Sequence, residues 1–201
     1  NTAIGMNALD DNTASYQCAV GFKALYQTTS GGNNTAMGYT ALYDNTTGNS
    51  NVAVGKEALY TQTTGSSNTA VGNQAMYAST TGGNNAAFGI SALKDNTTGH
   101  ENAGLGRYAL QNNTTGQENT GVGNAAIETN TTGSYNTAVG SSSLAANTTA
   151  SNNVAVGYVA LTANTTGTSN VAVGTNALQA NTTGDSNTAL GKGALASNTT
   201  A

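Results

Sequence analysis

The sequence predicts an all-β fold, a parallel β-solenoid (β-roll) of twelve coils of about 17 residues each. Three observations predict it. One pattern, N-T-A-V-G-x-x-A-L-x-x-N-T-T-G-x-x, recurs along the whole 201-residue chain. Its first glycine falls at Gly5, Gly21, Gly38, Gly55, Gly72, Gly89, Gly106, Gly123, Gly140, Gly157, Gly174 and Gly191, every interval being 17 except the first, which is 16. Two slots of the pattern are never polar: the one held by Val54 and Val71, and the one held by Leu42 and Leu59. A coil this short cannot bury its own apolar side chains, so it needs a neighbour above and below.

Within one coil, N-T-A-V-G alternates with the period of two that marks a strand. Its valine and the later leucine are expected to be the two large buried side chains. The residue before the leucine is alanine in every repeat but one, which has Ser143, so the interior there is narrow and a larger side chain would overpack it. The glycine after the valine supplies a turn or a close backbone approach, and N-T-T-G reads as a corner. Each coil is then expected to have two extended sides and two corners. The alternative is one strand plus one short helical turn per coil over G-x-x-A-L-x-x-N, since Ala and Leu favour helix. Stacking at strand spacing makes a rod about 55 Å long. Burying one Val and one Leu falls well short of the entropy of ordering a whole coil. Backbone ladders, stacked Asn and Thr side chains and pairing with other chains are expected to close the gap.

The array reads as a single domain, 1–201, uncapped at both ends: an excerpt of a longer fibre, or a unit that stacks end to end. Nine acids and five bases are scattered over variable positions, so no basic run exists to hold a phosphate backbone, and no nucleic-acid partner is expected. No stretch is long and apolar enough for a membrane span. Cys18, the only cysteine, has no intrachain partner for a disulfide.

Asn136-Thr137-Ala138-Val139-Gly140 and Asn170-Val171-Ala172-Val173-Gly174 resemble the S-V-A-I-G-x-x-A-x-A-x-G repeat of trimeric autotransporter adhesin heads. The full pattern also resembles repeats of bacteriophage tail-fibre and other surface-fibre proteins. The present repeat departs from the adhesin head by three extra residues around Leu-x-x-Asn-Thr-Thr. The resemblance implies a left-handed roll, a homo-oligomer with a trimer the expected state, and an extracellular place on a cell surface or virion fibre.

Chemistry is sparse. His100 lies in the variable turn Gly99-His100-Glu101 with no nucleophile or orienting partner, so no enzyme is expected. No coil carries the regular aspartates of a calcium-binding roll, no G-x-G-x-x-G sits in a βαβ context, and no cofactor or metal is expected.

Two recurrent features are candidates for recognition or modification. Asn45, Asn96, Asn113, Asn130, Asn147, Asn164, Asn181 and Asn198 each open an Asn-Thr-Thr, which is both a glycosylation sequon and the pattern of an Asn ladder between coils. Tyr26, Tyr43, Tyr60 and Tyr77 are spaced by one period and form an aromatic stripe if the coils stack. The stripe suits either a host-surface glycan or protein, or a stacking ladder that stiffens the rod. The function expected is a structural and adhesive fibre segment, a stalk or head, with itself as partner in an oligomer or end-to-end filament. An ice-binding β-solenoid is the alternative, and it requires Thr-x-Thr on one strand face of each coil.

Overall fold

The computed structural model describes residues 1–200. It is a β-solenoid whose strands are three residues long, from Thr2–Ile4 at one end to Thr188–Leu190 at the other. All twelve form one parallel sheet in chain order, and among the described residues there is no helix. Register is conserved from coil to coil: Ala36 pairs with Ala53, Ala53 with Ala70, and Ala70 with Ala87. The ladder extends past the strand at both ends, with Thr35 N–H donating to the Asn51 carbonyl and Gly38 N–H donating to the Val20 carbonyl, each at 2.8 Å.

The strand's alternation does set one residue inward, but that residue is the alanine. Ala36, Ala53, Ala70 and Ala87 have no exposure, while Met37, Phe88 and Leu105 in the valine slot are 44, 43 and 41% exposed. The expectation that each coil buries its valine is therefore corrected. A three-residue strand has one inward position, and the coil is so thin that this position admits a methyl group and little more. The leucine slot is the true core: Leu42, Leu59, Leu93 and Leu110 are fully buried and pack against the strand alanines. Ser143, in the slot of the alanine before the leucine, is also buried, and its Oγ donates to the Gly140 carbonyl at 2.8 Å.

The second side is not extended, and it does not make the helical turn of the alternative reading. It is a run of turns in which alternate residues take left-handed backbone angles: Glu57 has φ 57° and Leu59 φ 52°. This alternation points successive amides at different neighbours. Glu57 N–H donates down to the Tyr39 carbonyl at 2.9 Å, whereas Leu59 and Thr61 donate up to Ala75 and Tyr77 at 3.0 and 3.1 Å. A helix would have spent those donors within the coil, and a solenoid needs them between coils. The left-handed angle costs a leucine about 1–2 kcal/mol, against about 1.5–3 kcal/mol gained by burying it. Gly55 has φ 134°, and a Cβ there would run into the Gly72 carbonyl, so the corner after the strand needs glycine.

Candidate functional site

Two ladders of side-chain amides run through the interior. The first uses the asparagine that precedes each strand. Asn51 Nδ2 donates to the Gly65 carbonyl at 2.9 Å, and its Oδ1 accepts from the Asn68 backbone N–H at 3.0 Å. The same pair of bonds recurs at Asn119, Asn136 and Asn153. These asparagines are buried, and each satisfies backbone groups that the corner would otherwise leave without partners. This ladder went unread in the sequence, although its signal, an Asn in the slot before nearly every strand, was plain.

The second ladder is the Asn-Thr-Thr series. Asn113, Asn130, Asn147, Asn164 and Asn181 are fully buried. Each donates to its own corner, as Asn113 does to the Gly116 carbonyl at 2.9 Å, and to the Oδ1 of the asparagine one coil before, as Asn113 does to Asn96 at 2.8 Å and Asn130 to Asn113 at 2.7 Å. Asn198 is half-buried and reaches Asn181 at 3.4 Å. At Asn113, Asn130, Asn147, Asn164 and Asn181 the nitrogen to which a glycan would be attached thus lies inside the rod with both protons engaged.

This ladder is broken near one end. Between Asn45 and Asn96 the slot holds Gln62 and Ser79, and Thr28 occupies it before Asn45. The Oδ1 of Asn45, both amide atoms of Gln62 and the hydroxyls of Ser79 and Thr28 are buried with no hydrogen-bond partner.

The tyrosine stripe occupies those same coils. Tyr26, Tyr43, Tyr60 and Tyr77 are half-buried and stack in one column, with centroids 5.2 Å apart and planes within 13° of parallel. The Lys23 ammonium sits 4.7 Å from the Tyr26 centroid at the end of the column. The faces between the four rings are therefore spent on one another, and the Tyr26 face at the end of the column on a cation. Burial pushes the Tyr60 phenol upward, with nearby Asp44 adding to it, and burial likewise pushes the Asp44 carboxyl upward.

The third feature is the outward face of the sheet. Two files of side chains line it: the first residue of each strand, such as Thr69, Ala86 and Ala103, and the third, such as Val71, Phe88 and Leu105. Neither file contains a charged residue at any coil. The third position is apolar throughout, so no strand carries a Thr-x-Thr pair on this face. Most of the other threonines exposed along the rod, Thr98, Thr115 and Thr132 among them, form one file at the corner.

Among the described residues there is no pocket and no group of three His, Cys, Asp or Glu side chains that could share an ion. His100 and Glu101 stand exposed at the corner. Comparison of the chain with protein-family models, with curated proteins and with solved structures finds no match.

Proposed function

We propose that this chain is a stiff structural segment of an extracellular surface fibre, a rod that sets a distance and displays a repetitive outer face. The observation that carries the reading is the unbroken sheet, in which every coil repeats the register of the last and is tied to it by backbone and buried amide bonds. Quasi-one-dimensional stacking of this kind transmits length without flexing at loops. Adhesion through the tyrosine stripe finds less support, because sugar rings dock on aromatic faces and these faces are already stacked. Ice recognition by paired threonines finds none on the sheet face, where threonine is paired with an apolar side chain.

The test is to place dyes at the two ends of one array and of two arrays joined in frame, and to measure the end-to-end distance. A rigid spacer lengthens linearly, by about 4.8 Å per added coil. Growth with the square root of residue number, as in a flexible linker, would overturn the reading.

A further inference from the structure

The outward sheet face is uncharged over its full length, yet it is open to solvent, with Met37, Phe88 and Leu105 each about two-fifths exposed. With its two flanking files it is about 55 Å by 15 Å, or ~800 Å², the area each partner contributes to a standard stable interface. We propose that its occupant is a second copy of this chain, lying parallel and in register, sheet face to sheet face, about a two-fold axis along the rod. The proposal rests on the rod reading above and adds to it a partner and a surface.

The arrangement follows from the side chains. A two-fold axis along the rod keeps each coil at the height of its counterpart but reverses the strand direction. The first file of one copy then faces the third file of the other. At two adjacent coils a large third residue stands beside an alanine, Phe88 with Ala86 and Leu105 with Ala103, whereas Ile4, Met37 and Leu190 stand beside threonine. In the pair, Ala86 receives the partner's Phe88, and Ala103 receives the partner's Leu105. The coils with medium-sized third residues keep Thr or Val in the first file, as in Thr69-Ala70-Val71 and Val154-Ala155-Val156. At the Phe88 and Leu105 coils, large against small keeps the filling even, as interiors require.

The flanks obey the same symmetry. The file just after the corner glycine carries only cations among its charged residues, Lys56, Arg107 and Lys192, and the file two residues before the strand carries only anions, Glu101 and Glu118. About this axis the two files meet, and Arg107 comes level with the partner's Glu101. Arg107 is exposed and rests on the Tyr108 ring, with its guanidinium carbon 4.3 Å from the centroid, which holds the charge at the rim. One uncharged face per chain suits a two-fold pair, which uses the same patch twice, whereas a three-fold ring needs two different patches.

The experiment measures mass by light scattering over a dilution series, for the full chain and for variants of the outward face, with circular dichroism to show that each is folded. The full chain is expected at twice its 19.8 kDa mass. Val71→Glu with Val122→Glu, both outward, is expected to give folded monomers. Ala86→Phe alone is expected to weaken pairing at least about tenfold, because each mutation appears twice in the interface. Ala86→Phe with Phe88→Ala exchanges knob and hole and is expected to restore it. Glu101→Arg and Arg107→Glu should each weaken association and together recover it. A monomeric or threefold mass, or an exchange that fails to rescue, overturns the pairing. A stiff monomer would leave the rod reading intact, and a twofold assembly of chains that scale as flexible linkers would overturn the rod reading alone.

Discussion

Tyr60 and Tyr77 stack with centroids 5.2 Å apart and planes 4° from parallel, two residues before Gln62 and Ser79, the positions between Asn45 and Asn96 at which the buried amide ladder fails. The coincidence has an energetic sense. Each lost amide contact between coils removes about 1 kcal/mol, and each aromatic pair contributes about 0.5–1.5 kcal/mol beyond its area. In these coils the outer stack takes over the cohesion that amides supply inside elsewhere.

Repairing the ladder should therefore stabilise the rod. Gln62→Asn with Ser79→Asn connects Asn45 to Asn96 and gives partners to atoms now buried without them. The expected gain is about 1–3 kcal/mol, read as a raised midpoint in denaturant. An unchanged or lowered midpoint would show that these coils have relaxed around their defects.

In the intact stretch the same logic runs in reverse. Asn113→Ala removes the donor to Asn96 Oδ1 and to the Gly116 carbonyl and the acceptor for Asn130. A loss of about 2–4 kcal/mol is expected, with Asn113→Asp at least as damaging near neutral pH because it buries an unpaired charge. Equilibrium unfolding of both variants checks it.

Tyr60→Ala should cost about 2–4 kcal/mol, since it breaks two stacked pairs and strips a half-buried ring. Tyr60→Phe should cost well under 1 kcal/mol, because the stack uses the ring and not the hydroxyl. If the Gln62 and Ser79 repair is made first, the Tyr60→Ala penalty should shrink, which a double-mutant cycle measures.

Asp44 gives a pH signature. Burial raises its pKa in the folded state, so the contribution to stability is fully present below the unfolded pKa and is lost as pH rises through the folded one. Asp44→Asn keeps an acceptor for Gln27 Nε2, now 3.0 Å from the carboxylate, and removes the charge. The variant should be the more stable at neutral pH and equal to the parent in acid, seen in melting curves across that range. Exposed Asp185 runs in the opposite sense: the backbone and hydroxyl of Thr168 bond its carboxylate and lower its pKa, so its contribution is lost as pH falls.

Leu110→Ala should cost about 2–5 kcal/mol. Ala53→Leu should be as damaging from the other direction, because Ala53 fills a site with no exposure between strand and leucine. Val54→Thr, on the outer face, should be near neutral in the isolated chain. Thermal unfolding of the three variants ranks inside against outside.

The period, the parallel stacking and the single core leucine per coil were legible in the sequence, because each depends on recurrence alone. So was the column made by Tyr26, Tyr43, Tyr60 and Tyr77: in a stack of identical coils, residues one period apart must lie above one another. What periodicity could not assign was direction. The strand's alternation is equally consistent with Val71 inside and Ala70 outside, and hydrophobicity argued for the wrong one.

By itself, then, the sequence determined a twelve-coil rod with every coil in the same register, because the fixed period sets like residues above one another. The tertiary structure alone decided which way the valines face, how the amides of the second side divide between the coils above and below, and that the Asn-Thr-Thr nitrogens lie inside. Those outcomes depend on the width of the coil and on backbone donors finding acceptors in neighbouring coils. Both are properties of the stack, and no single repeat contains them.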